Sequence, residues 1–274
     1  MIHSLLPLVA AGGGDGPSIH ITPGELFQFH GYSITNSILY GWICSLLILV
    51  LFITVARMMT LRPRRGFIQI VEIGTEFIIS TIAGSLGSRA KAIKYAPYFV
   101  SAFFFVMVIN WLGLLPGVGE AITYNENPVL RPFTADLNGT IAAATVMMIL
   151  VQVFAIRESG ALNHLKHYFA GSLKNPMTWF LGVFEIFSEF TRIASLGLRL
   201  FLNVAIGEVI IAIFTYLGSF AAPLTALPFL ILELFVGALQ AYIFVMLCIM
   251  YLGAAIHHEH DEAETSAQAV PAEA

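Results

Sequence analysis

TWFLGVFEIFSEFTRIASLGLRLFLNVAIGEVIIAIFTYL, residues 178–217, is a 40-residue apolar run without proline that still carries Glu185, Glu189, Arg192, Arg199, Asn203 and Glu208. As one helix it is roughly 60 Å long, twice the roughly 30 Å of a bilayer's hydrocarbon core. With no proline to break it, the run is expected to tilt steeply. Each ionisable group within a span costs roughly 2.5–3.5 kcal/mol even on lenient insertion scales, so these groups must face protein, water or one another. Positions 185, 189, 192, 196, 199 and 203 advance in steps of four and three and form one stripe. Glu208, nine residues past Arg199, lies about half a turn away around the axis and belongs to a separate polar environment.

Gly218 to Pro228, with Pro223 and Pro228, reads as a turn. The next apolar stretch, Pro228 to Ile256, is roughly 44 Å long as a helix. Two overlong helices joined by a short turn form an αα-hairpin. On the second arm Glu233 and Gln240 stand seven residues apart and share a face.

Working toward the N-terminus, further apolar stretches run over about 38–56, 95–115 and 141–156. Residues 66–88 are apolar but interrupted by Glu72 and Glu76, one helical turn apart, as in an amphipathic helix at a membrane surface. The chain is thus expected to be an all-α integral membrane protein. It has about five transmembrane helices and an interfacial helix, and the last two spans form a long, strongly tilted hairpin. Composition agrees: 58% of the residues are hydrophobic, 11% are charged and the mean hydropathy is +0.83.

Lys and Arg counts orient the spans. Arg57, Arg62, Arg64, Arg65, Arg89, Lys91 and Lys94 lie between the first two spans, and Arg157, Lys166 and Lys174 follow the third. The first 56 residues contain neither residue type, and the loop after the second span holds only Arg131. The N-terminus is therefore expected outside and the C-terminus in the cytoplasm. Three regions follow: an extracytoplasmic segment 1–37, a membrane domain 38–256 and an acidic, histidine-bearing tail 257–274 expected to be disordered. Residues 1–11 are apolar but lack the basic lead of a cleaved signal. The glycines at 12–16 follow no strand and read as a flexible stretch. Cys44 and Cys248 lie inside apolar runs and read as buried free thiols.

Other readings of the polar residues carry weight. Glu185, Glu189 and Arg192 fit a solvated helix end with internal pairing, and Asn203 fits a packing hydrogen bond. Glu208 and Glu233 fit a static contact. Arg199 resists such a reading, because it stands among leucines with no acid one turn away on its own helix. No nucleotide loop, His-Glu-x-x-His pair or nucleophile elbow is present, so neither an independent enzyme nor a metal or cofactor site is expected. A secondary transporter would commonly show repeated halves and discontinuous short spans, which the sequence lacks.

Ser195-Leu-Gly-Leu-Arg199-Leu-Phe-Leu-Asn203, followed by Gly207-Glu208, closely resembles the signature helix of the a subunit of F-type ATP synthases. Asn110-Trp-Leu-Gly-Leu-Leu-Pro116-Gly, Thr134-Ala-Asp136-Leu-Asn138 and Leu239-Gln240-Ala, seven residues after Glu233, resemble further motifs of that family in the same order. Ile193 stands where many members have proline, Leu202 where a glycine usually precedes the asparagine, and Glu233 where histidine is common.

The resemblance implies a proton-translocating stator subunit in a bacterial plasma membrane, working with a rotating c-ring and the peripheral-stalk b subunits and binding no nucleic acid. It implies that Arg199 faces the ring between two half-channels. Glu208, Glu233, Gln240 and Asn203 would line the outer channel, and Glu185 and Ser195 would border the inner one. The choice between H⁺ and Na⁺ sits with a carboxylate on another chain.

Overall fold

Helices dominate because long apolar runs in lipid must satisfy every backbone group internally. A computed structural model of the chain describes residues 24–29, 32–58, 66–115, 118, 123–124, 127–128, 131–160, 176–218 and 222–268. The helices are α1 (Asn36–Met58), α2 (Phe67–Leu86), α3 (Arg89–Gly113), α4 (Leu137–Ser159), α5 (Pro176–Gly218) and α6 (Ala222–Gln268). The glycines at 12–16, Arg62, Arg64, Arg65, Lys166, Lys174, the Pro116-Gly117 end of the second motif and the tail histidine side chains lie outside the described residues.

Two short hairpins, unexpected from the helical periodicity, sit in the connections. β1 (Glu25–Phe29) pairs antiparallel with β2 (Tyr32–Thr35), with Phe27 opposite Ile34 and Phe29 opposite Tyr32. β3 (Thr123–Tyr124) pairs with β4 (Asn127–Pro128). The first follows from aromatic and β-branched residues flanking His30-Gly31, a short-turn signature that a search for spans passes over.

Contacts between helices fix which ends lie together. The Tyr40 hydroxyl donates to the Leu112 carbonyl at 2.7 Å, and the Phe52 and Phe104 rings meet edge to face at 5.9 Å, so α1 and α3 run antiparallel. Phe99 meets Phe154 while Tyr95 donates to Glu158, setting α4 antiparallel to α3. Asn110 and Trp111 donate to the Gly237 and Leu234 carbonyls, setting α6 antiparallel to α3. One end of the bundle therefore collects Arg57, Lys91, Lys94, Arg157 and the C-terminal end of α6. The start of α1 lies at the other end.

Among the described residues six helices are long and apolar enough to cross a membrane, and α2 is the least apolar of them. Its position argues for the interfacial reading. α1 ends and α3 begins at the same basic end of the bundle, whereas a single crossing by α2 would have delivered α3 to the opposite end. Gly74 meets Phe104 and Phe77 meets Tyr242, both near the middle of their helices, and Ser85 meets Ile249 and Gly253 toward the basic end. Glu76 pairs with Arg89 at 2.8 Å. In a tight antiparallel hairpin Arg89 would lie beside Leu86, roughly 15 Å along the axis from Glu76. α2 therefore crosses over α3 at an angle.

α5 and α6 form the expected hairpin without a break. Arg192 lies over the Tyr251 ring at one end, and Phe214 stacks on Phe229, 3.8 Å between centroids, at the other. Two boundaries differ from the sequence reading. α6 begins at Ala222 instead of Pro228: Pro223 stands in the first turn, where its missing N–H would be unsatisfied anyway, and Pro228 lies inside the helix. α6 also continues to Gln268, through most of the tail whose composition points to disorder. No proline or glycine separates Ala254 from Gln268, so a helix already nucleated in the bundle propagates at little cost.

The core joins all six helices. Ile78, Ile82, Tyr95, Phe99, Phe154, Leu196, Leu200, Phe244, Ile249 and Leu252 are among its buried members. α5 and α4 touch backbone to backbone, since a Cβ on Gly197 would stand 3.0 Å from Ile141 Cα. Such small-residue contacts hold helices together in lipid, where apolar burial gives no drive. Outward faces stay apolar: Trp42, Leu46, Val50 and Ile53 on α1 are exposed, as lipid contact requires. Cys44 and Cys248 are buried and unbridged.

Candidate functional site

The packing of Leu196, Leu200 and Val204 into the bundle decides what the rest of α5 presents outward. At 100° per residue those positions occupy one face, leaving 191, 195, 198, 199, 202 and 206 on the other. A shallow groove of about 680 Å³ runs along that second face. It is lined by Thr191, Ser195, Leu198, Arg199, Leu202, Asn203 and Ile206 of α5 and by Gln240 of α6.

Arg199 is exposed at mid-groove, and among the described residues it forms no salt bridge. Its neighbours Leu198, Leu202 and Ile206 are 40%, 47% and 55% exposed. A guanidinium ringed by exposed aliphatic side chains is unsuited both to water and to lipid. It is suited to a partner surface that brings an acid. Beside it, Asn203 Nδ2 and Gln240 Nε2 are buried without an acceptor among the described residues.

The stripe read from the sequence divides. Ser195, Arg199 and Asn203 line the groove. Glu189 and Arg192 pair with each other, and Arg192 turns onto Tyr251. Glu185 is half-exposed and stands outside the groove. From 185 to 199 the helix advances about 21 Å.

Glu208 lies on another side of α5, as its angular offset requires, and joins a cluster that the sequence reading missed. The short 3₁₀ turn Phe133–Ala135 packs against α5. Just before it Arg131, only 5% exposed, donates to the Ala135 carbonyl at 3.1 Å. Burial pulls the Arg131 guanidinium down from its ordinary value, while the charges of Glu208 and Asp136 push it back up. Asp136 caps α4 by accepting from the Asn138 N–H at 3.0 Å, and its other oxygen accepts the Ser37 hydroxyl at 2.7 Å.

Glu233 reaches the same region from α6. A Cβ on Gly207 would stand 2.2 Å from the Glu233 carboxyl carbon, so this carboxylate lies over bare α5 backbone, one residue before Glu208. Further in, Asn110 abuts Gly237 and leaves its Oδ1 unpartnered. Gln240 follows one turn along α6. Carboxylates at one end and unpaired amides leading to Arg199 make a sequence of polar groups through an apolar hairpin. Asn110, Arg131 and Asp136 were missed as site residues. For Asn110 and Asp136 the available signal was membership of the two motifs preceding α4.

A family profile described as ATP synthase A chain matches residues 38–253. The chain is 31% identical over 251 residues to ATP synthase subunit a of Chlorobium phaeobacteroides, covering 86% of this chain and 69% of that relative. It is 33% identical over 251 residues to ATP synthase subunit a of Anaeromyxobacter dehalogenans, covering 87% of this chain and 62% of the relative, just under two thirds of its length. With ATP synthase subunit a of Moorella thermoacetica the identity is 28% over 238 residues, covering 87% and 98%.

Proposed function

The chain belongs to the ATP synthase A chain family, and from that premise we propose that it is the stator subunit through which protons reach and leave a rotating c-ring. It is a multi-pass membrane subunit of an ATP synthase. The observation that carries the finer reading is Arg199. It is an exposed cation on an apolar helix face, with no acid of its own chain bound to it among the described residues.

The α5 groove faces the ring, and each passing c subunit presents a carboxylate to Arg199. Arginine stays charged at any accessible pH, so it does not relay a proton, and it separates the two access routes. Its charge favours the ionised ring carboxylate, which releases its proton on the exit side. At 4 Å and an effective dielectric of about 20 the attraction is roughly 4 kcal/mol. A proton crossing about 150 mV supplies roughly 3.5 kcal/mol. The two are comparable, so the pair breaks at each step.

Glu208, Glu233, Asn110, Gln240 and Asn203 line the uptake route from the end opposite the basic loops. Ser195, with Glu185 beyond it, borders the exit route toward the basic end. That end faces the cytoplasm of a bacterial plasma membrane, with the N-terminus outside. The peripheral-stalk b subunits hold the chain against ring torque. The test is Arg199→Ala in the assembled complex: ring subunits still co-purify, and ATP-driven proton pumping in membrane vesicles is lost. Pumping that survives this change refutes the assignment.

A further inference from the structure

Resting on that reading, we infer that Glu189 and Tyr251 are positioning residues that hold Arg192 off the ring's path, so that a ring carboxylate meets one open guanidinium, Arg199, and not two. Arg192 and Arg199 are the only lysine or arginine residues in α5 and α6. They stand seven residues apart, about 20° short of two full turns, so both leave the helix on the same side, about 10 Å apart along its axis. Thr191 and Ser195, which flank Arg192 in sequence, line the groove together with Arg199, whereas Arg192 does not. α5 is 43 residues and roughly 65 Å long, about twice the hydrocarbon thickness. In so tilted a helix, two turns toward the exit side are also a step sideways along the ring.

Two contacts take Arg192 out of the groove. Its Nη1 donates to Glu189 Oε1 at 2.5 Å, and its guanidinium lies over the Tyr251 ring of α6, 5.0 Å from the centroid. The first matches its charge one turn back on its own helix. The second turns it across toward α6. The side chains of Arg192 and Glu189 are 34% and 19% exposed, so salt screens this pair less than it screens a surface pair. An unengaged guanidinium at position 192 would bind an ionised carboxylate as strongly as any arginine does. A ring carboxylate that had just left Arg199 would then be held a second time, with no proton moved in return. Engaging Arg192 within the hairpin removes that stop.

The experiment uses the whole synthase in liposomes, with ATP synthesis driven by a saturating proton gradient and assembly checked by co-purification of ring subunits. Glu189→Gln lowers the synthesis rate at least about threefold, within the coupling range of contacting residues. Tyr251→Leu, which keeps apolar bulk against the core, lowers it in the same direction and serves if the Glu189 variant assembles poorly. Arg192→Gln alone keeps the parental rate within about twofold, and in its background neither change slows synthesis further. A staple that only holds α5 to α6 predicts otherwise, because Arg192→Gln breaks the same two contacts and would cost as much as Glu189→Gln. Equal losses from those two single changes, no loss from Glu189→Gln and Tyr251→Leu, or a loss that persists in the Arg192→Gln background overturns the inference. Arg199→Ala run in parallel separates the levels. If it leaves synthesis intact, the parent reading falls; if it abolishes synthesis while Arg192→Gln rescues nothing, this inference alone falls.

Discussion

Arg131 and Arg199 sit in opposite surroundings. Arg131 is sunk into the junction of α1, α4 and α5, hydrogen-bonded to a backbone carbonyl and flanked by two acids of its own chain. Arg199 stands exposed in a groove of leucine and isoleucine, with no salt bridge among the described residues. The first cation has a hydrogen bond and neighbouring acids within the fold. The second is left for something outside it. A side chain whose partners are fixed shapes the electrostatics of its neighbours, whereas one whose partners come and go can take part in a cycle.

The most severe way to break this contrast is to keep the charge at 199 while letting it titrate. Arg199→Lys is expected to lower coupled ATP synthesis by about 100-fold or more, because a lysine covered there by the ring loses its proton more readily than arginine and becomes a leak between the two routes. Proton-driven synthesis in vesicles, with passive leak measured alongside, reads this. A lysine enzyme that stays coupled would remove the reason for arginine.

The next change strikes the acids. Glu233→Gln is expected to slow proton uptake about 100-fold, the lower range for loss of a proton-transfer group. Glu72→Gln, on the exposed surface of α2, leaves flux unchanged. Equal losses count against an uptake route through the hairpin.

Gly207→Ala sharpens the comparison without altering any charge. The new methyl must displace the Glu233 carboxylate, the far end of a flexible side chain, so the carboxylate moves at little cost to folding. Proton flux should fall while ring subunits still co-purify. The smallest effect is expected far from both arginines. Tyr95→Phe removes a hydroxyl that donates to Glu158. It costs about 1–2 kcal/mol, visible as a lower unfolding midpoint of the detergent-solubilised protein, with flux intact.

Much of this arrangement can be read from residue order. Five spans, the surface helix and the hairpin follow from apolar run lengths and from where Lys and Arg fall. Arg199 declares itself by standing among leucines with no acid nearby on its helix. The angular offset of Glu208 predicts its departure from the Arg199 face. Arg131 does not declare itself, because its burial depends on Ser37, Asp136 and Glu208 meeting from distant parts of the chain, which no local periodicity encodes. The stripe from 185 to 203 misled in part, since Arg192 finds an aromatic ring on α6 that its own helix could not announce. The hairpin turn is shorter than its prolines suggest, because Pro223 sits in the first turn of α6 and Pro228 lies within the helix. Composition alone points the tail to disorder, whereas the packed helix preceding it supplies a nucleus from which the helix continues.

The central claim is that the Arg199 face of α5 abuts a ring of acid-bearing helices. Leu202→Cys places a thiol one turn from Arg199 on that face, and Val50→Cys places one on the exposed outer face of α1. Each is paired with a cysteine one turn from the ring carboxylate and oxidised in native membranes. The account predicts a disulfide-linked product with the ring subunit from position 202 and none from position 50. Absence of the product at 202, or equal yields from both, would contradict it.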